Sequence, residues 1–203
     1  MTTDTTLLLD VLLKTVKETL FPLTSTSGLE SREASIFGSA ILSCSRLELL
    51  TVATNEDHVS PLSHGEINCI QRFYTVNFPD STSRPDSREC IFLSTHEPCS
   101  MCLSAIAWSG FRKVYFLFTY DETRDVFRIP EDIDIIKEVF QVKGTETDEQ
   151  VKERDYYNRE NKFFRSQSLK SLAESLCIED RGTWMRQIEE VKELYTGLDK
   201  SHV

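Results

Sequence analysis

Positive charge is scarce in this sequence. Only 23 Lys and Arg stand against 33 Asp and Glu over 203 residues, a net charge of −10. Tight, sequence-independent binding to nucleic acid comes from cations that release counterions, so this balance disfavours a polyanion partner. Long hydrophobic runs are also missing. The most apolar stretch, LLLDVLLKTV from Leu7 to Val16, is broken by Asp10 and Lys14 and falls short of the ~20 apolar residues that span a bilayer. No basic region precedes it, as a secretory signal would require. The expectation is a cytoplasmic chain without a membrane span, nuclear entry remaining open. No internal repeat or low-complexity tract occurs. The six cysteines are even in number, but in a reducing compartment a CxxC more often serves metal or redox chemistry than a bridge. Cys44, Cys69, Cys90 and Cys177 read as free, mostly buried thiols. What is present, 39% apolar residues with 12 Phe, suffices for one substantial core.

The pattern alternates between two periods. Leu8, Val11, Leu12, Val16 and Leu20 predict a helix over residues 4–20 that stops before Pro22. STSGLESREA reads as a loop. SIFGSAILS and LELLTVAT read as strands joined by a tight turn near Ser45 and Arg46, followed by a helix over 64–75. CIFLST is a strand, CSMCLSAIAWSG a helix ended by Gly110, KVYFLF a buried strand and EDIDIIKEVF a helix. This order predicts an α/β sandwich with its sheet between helix layers. Beyond Gln141 the chain is highly charged and reads as helical throughout. The expected division is residues 1–141 as one domain, with 142–203 a helical extension packed on it.

Two short stretches carry chemistry. SHGEINCI places His64 and Glu66 two apart at a helix start, and STHEPCSMC places Cys99 and Cys102 three apart at another. A helix N-terminus lowers thiol pKa and favours the metal-binding thiolate. One histidine and two thiolates suit Zn²⁺ and leave a fourth tetrahedral position for water, as in catalytic zinc sites. Zinc lowers the pKa of a water from 15.7 to roughly 7, and Glu66, off the metal, can shuttle the proton. Cys69 is the alternative fourth ligand of a closed structural site, which would leave Glu66 without a role.

His64, Glu66, Pro98, Cys99 and Cys102 match H-x-E…P-C-x-x-C, the signature of zinc deaminases. Over about residues 30–140 the sequence resembles the cytidine deaminase-like superfamily. The resemblance implies a three-layer α-β-α sandwich with a central mixed sheet, zinc at the N-termini of two adjacent helices, and Glu66 as the acid/base. It also implies Asn55 as a base-binding residue and a homodimer. EPCSMCLSAIAWSG, with Glu97 and Trp108, resembles guanine, guanosine and tRNA-adenosine deaminases. HGE, with Gly65, is similar to fungal cytosine deaminases. The longer match favours a purine base or nucleoside, with cytosine-type substrates as the alternative. Glu97, Trp108 and His96 are further candidates for substrate contact, each weighed against a core or interface role. A catalytically silent deaminase-fold subunit would be expected to lack Glu66, and an RNA-editing enzyme would want a basic surface. YYNRENKFF, from Tyr156 to Phe164, is the unusual stretch of the tail and reads as a docking amphipathic helix or a flap. His58 and His202 read as exposed.

Overall fold

A computed structural model describes residues 4–27 and 36–200; His202 and the loop positions 28–34 lie outside the described residues. Helix α1 (Thr5–Lys14) starts where the Asp4 carboxylate accepts the Thr6 N–H at 2.9 Å, and it buries Leu8, Leu9, Leu12 and Leu13. The helix does not stop before Pro22 as expected. It widens into π-type turns over Thr15–Leu20 and continues as α2 (Phe21–Ser27). A proline inside a helix clashes with the carbonyl four residues earlier, and the wider turns just ahead of Pro22 relieve that crowding.

Strands β1 (Gly38–Ser43) and β2 (Leu49–Thr54) form an antiparallel hairpin, with Leu47 at φ 55° in its turn. β1 also pairs antiparallel with β3 (Cys90–His96), Ser39 opposite Ser94. β4 (Lys113–Phe118) and β5 (Arg165–Ser168) add parallel to β3, giving the order β2-β1-β3-β4-β5. The sheet is mixed, and every residue of the central β3 is buried. β5 corrects the reading of the tail as helical throughout. Its four residues, RSQS, are polar and carry no strand pattern of their own; the ladder to Lys113–Phe116 makes them a strand.

Helices α3 (Gly65–Arg72), prolonged by π-type turns over Phe73–Asn77, and α4 (Ser100–Trp108) cover one face. There Cys69, Ile70, Phe73, Leu103 and Ile106 pack on Ile41, Phe92 and Val114. Gly110, at φ 85°, ends α4 in the left-handed conformation that glycine adopts without strain. On the other face α1 meets α8 (Leu169–Glu174) and α9 (Ile178–Lys200), and Leu9, Leu12, Leu172, Trp184, Ile188 and Tyr195 share one cluster. This is the expected three-layer α-β-α sandwich with a C-terminal helix.

α5 (Tyr120–Phe127) was not anticipated. It is set by a capping box in which the Thr119 hydroxyl accepts from the Glu122 N–H and the Glu122 carboxylate accepts from the Thr119 N–H. α6 (Glu131–Ile135) follows, and α7 (Asp148–Lys152) lies in the connection to β5. Residues 156–164 do not form the expected helix. Asn158 Oδ1 accepts from Glu160 N–H, and Asn161 Oδ1 from the N–H groups of Phe163 and Phe164. Such side-chain bonds compete with helix formation, so the stretch folds as successive turns. No helix among the described residues is long and apolar enough to cross a membrane.

Candidate metal centre and cleft

The site lies where β3 ends and two helices begin. His64 is the N-cap of α3 and Cys99 the N-cap of α4, both with extended backbone, so each side chain stands beside the N-terminal end of its helix. Cys102, one turn into α4, completes the set. His64 Nδ1 is 3.7 Å from Cys99 Sγ and 3.7 Å from Cys102 Sγ, and all three donor atoms lie within 4.8 Å of one another. A tetrahedral zinc, with Zn–S about 2.3 Å and Zn–N about 2.0–2.1 Å, separates sulfur from nitrogen by about 3.6 Å. The donor set therefore fits zinc in both chemistry and spacing.

Cys69 is not part of this group. Its thiol, buried and pushed far up by that burial, points to the Thr51 carbonyl at 3.8 Å. Among the described residues the cluster has three protein donors, not four.

A hydrogen bond between the two thiols splits the pair. Cys99 is lowered to about 4 by its bond with Cys102, aided by His64, while Cys102 is raised by the same bond and by burial. His64 is raised to about 9, first by its bond to Cys99. A cation in their midst would take over the role these protons play.

Glu66, in the first turn of α3, is buried. Its Oε1 accepts the Ser94 hydroxyl at 2.8 Å, and its Oε2 lies 3.4 Å from Cys102 Sγ. Ser94 is held in turn by Ser39, whose hydroxyl donates at 3.3 Å. Burial raises the Glu66 carboxyl, the direction that suits a group exchanging protons near neutrality. Asn55, just past β2, accepts the Gly65 N–H on its Oδ1 at 2.6 Å. That bond satisfies an unpaired donor of α3 and leaves the amide nitrogen of Asn55 to donate elsewhere.

Asn55, His64, Glu66 and Cys99 line a cleft of about 540 Å³ with Phe37, Leu62, Met101, Glu131 and Asp132. Asp132 was missed in the sequence, where EDIDII looks like the acidic first turn common to helices. Burial, then the negative charges of Cys99 and Glu66, push its carboxyl up to about 8.

Three sequence candidates take other places. Glu97 lies in the cleft wall, but its side chain is fully buried and its oxygens are taken by Tyr120 N–H, the Tyr157 hydroxyl and Arg159. Its described contacts are all with other parts of this chain. His96 stacks among Phe37, Phe118 and Phe127, with centroids 4.4–5.0 Å away, and burial alone lowers it to about 3. It is a core histidine behind the wall. Trp108 is 91% exposed at the far end of α4 and lines a separate apolar groove with Phe140, Tyr157 and Phe163.

Residues 22–118 match the family model described as the cytidine and deoxycytidylate deaminase zinc-binding region. No curated protein matches the chain. Among solved structures it is similar to a guanine deaminase from Nitrosomonas europaea, at 16% identity, covering 91% of this chain and 82% of that one with a TM-score of 0.47. It is also similar to a guanine deaminase from Bacillus subtilis, at 22% identity, covering 72% and 98% with a TM-score of 0.45. A dCMP deaminase from the cyanophage S-TIM5 follows at 17% identity, covering 79% and 96% with a TM-score of 0.41. The signature residues and the His/Cys/Cys geometry all lie within the matched stretch, so residues 22–118 are similar to a deaminase zinc-binding region and their donor set supports Zn²⁺ as the metal.

Proposed function

We propose that this protein hydrolytically deaminates a free nucleobase or nucleoside, of purine and guanine type. His64, Cys99 and Cys102 would hold the zinc, which when bound acts as a Lewis acid and makes a water nucleophilic at neutral pH. Glu66 accepts the proton that this water gives up as its oxygen attacks the amidine carbon. It returns the proton to the ring nitrogen, and the exocyclic amine leaves as ammonia after a further proton transfer. The Ser94 hydroxyl keeps one Glu66 oxygen oriented during these transfers, and the Asn55 amide nitrogen donates to a carbonyl of the base.

The observation that carries the substrate class is the charge of the cleft. Glu66, Glu131 and Asp132 line it, and among its described lining residues there is no Lys or Arg. Such a wall offers a phosphate no Lys or Arg to pair with, so bases and nucleosides are favoured over nucleotides. Asp132 supports a base or nucleoside substrate, because its carboxyl, raised to about 8, can accept from an N–H and, when protonated, donate to a ring nitrogen or carbonyl. A volume of about 540 Å³ suits a ligand of that size. The reading includes a homodimer, for which the exposed apolar face around Trp108 is the supporting feature.

An ammonia-release assay over guanine, guanosine, adenine, cytosine, cytidine and dCMP tests this. Turnover of a purine base or nucleoside, with none of dCMP, is expected. Turnover of cytosine or cytidine alone would replace the purine reading, and turnover of dCMP alone would overturn the argument from charge.

A further inference from the structure

Glu97 has a costly environment for a structural residue. Its side chain is fully buried, and burial raises its carboxyl. The charge that faces it comes from Arg159, 62 residues along the chain, with Nη2 2.9 Å from Oε1 and 3.2 Å from Oε2. The Tyr157 hydroxyl donates to Oε1 at 2.8 Å and the Tyr120 N–H to Oε2 at 3.0 Å. Arg159 is itself oriented over the Phe116 and Tyr157 rings, and Tyr157 is tied to Ser166 of β5 at 3.0 Å.

The position of Glu97 gives these contacts their consequence. Its N–H donates to the Phe118 carbonyl at 2.8 Å, which pins the backbone at the end of β3. Only Pro98 separates it from Cys99, and the pyrrolidine ring removes the φ freedom of that link. The Pro98 carbonyl accepts the Tyr120 hydroxyl. Cys99 therefore hangs on a short, stiff arm whose root is oriented by the Glu97 carboxylate.

We propose that the segment Tyr157–Arg159 is a positioning element of the metal site, acting through Glu97 to set where the loop carrying Cys99 places its thiolate. This rests on the ligand set of the preceding section. Partners one step removed from a metal typically change its affinity by about 10–100-fold when they are removed, and the turn before β5 is such a partner here.

The test uses the full chain and four variants, Arg159→Met, Arg159→Lys, Tyr157→Phe and Glu97→Gln. Three readouts are taken: zinc release to a chelator, the visible absorption of the Co²⁺-substituted protein, and hydrogen exchange of residues 97–103 in the metal-free protein. Arg159→Met is expected to speed zinc release by about 10–100-fold, to change the cobalt bands, and to speed exchange of the loop while α1 and α9 keep wild-type protection. Arg159→Lys, which keeps the charge, should recover part of each effect. Zinc release and loop exchange within twofold of wild type in Arg159→Met, Tyr157→Phe and Glu97→Gln alike would overturn the proposal. Exchange is read without metal, so the latch is tested even if the ligand assignment fails. That separate failure would show as a wild-type protein that takes up no stoichiometric zinc.

Discussion

The Ser94 hydroxyl donates to Glu66 Oε1 at 2.8 Å, joining the middle of the sheet to the first turn of α3 at the one carboxylate that also reaches Cys102. β1 stands behind this pair, because Ser39 is registered opposite Ser94 and bonds to it. The Glu66 carboxylate, the proposed acid/base, is thus oriented by two strands and carried by a helix.

Glu66→Gln should therefore keep fold and zinc while losing about 10²–10⁴ in kcat, the usual worth of a positioned acid/base. Ser94→Ala should cost less, about tenfold, because it loosens the carboxylate without removing it. Steady-state kinetics with zinc content measured in parallel check both. A Glu66→Gln protein with near wild-type turnover would exclude the proton-shuttle role.

Zinc content should depend on His64, Cys99 and Cys102 and be indifferent to Cys69. Cys99→Ala should lose most of its metal. Cys69→Ser should retain about one zinc per chain, because that thiol faces the Thr51 carbonyl. Elemental analysis reads the outcome, and metal loss in Cys69→Ser would restore the closed structural site.

Asn55 and Gly65 can be separated by mutation. Asn55→Ala leaves the buried Gly65 N–H without its acceptor, a cost of about 1–3 kcal/mol, and should raise KM with zinc retained. Gly65→Ala should be tolerated within about 1 kcal/mol, since an added Cβ would meet Asn55 Oδ1, the Gly38 Cα and the Phe37 carbonyl at 3.5 Å, an ordinary contact. Chemical denaturation and KM measurements on the two variants test the pair, and a severe loss of stability in Gly65→Ala would show that the backbone packing there is tighter.

Lys192 of α9 is buried against the Glu122 carboxylate, which also caps α5. Burial works to raise Glu122, but its bonds to Lys192 and Thr119 prevail and lower it. A depressed carboxyl contributes stability above its unfolded pKa of about 4.3 and loses it as pH falls through the folded value. Lys192→Met should lower Tm at pH 7 by several degrees, since it leaves a partly buried carboxylate without its cation. The difference from wild type should shrink below about pH 4. An equal difference at pH 7 and pH 3.5 would show that packing, not charge, is responsible.

Activity should vary little with salt, and tRNA or single-stranded DNA should not compete, because no Lys or Arg stands among the cleft's described lining residues. Steeply salt-dependent RNA binding, with deamination of that RNA and none of free substrates, would promote an editing role.

Residue type at short range was legible in the sequence. One imidazole, two thiolates and a nearby carboxyl off the metal suit a hydrolytic zinc site. H-x-E and P-C-x-x-C place them within one turn of two helices, so His64, Glu66, Cys99 and Cys102 could be named before any fold was known. The strands β1 to β4 could be read because each is an apolar run bounded by turns. Tertiary structure decided the rest, since the determining contacts lie far apart in the chain. RSQS becomes a strand only through its ladder to β4, and EDIDII supplies a cleft carboxyl only because the fold brings Asp132 to the cleft that His64, Glu66 and Cys99 line. Glu97, Trp108 and His96 looked alike as neighbours of the motif, yet the fold sends them to an ion pair with Arg159, to solvent and to an aromatic core. The direction a side chain takes from the end of a strand or helix depends on the partner that meets it there, and for Glu97 that partner is 62 residues away.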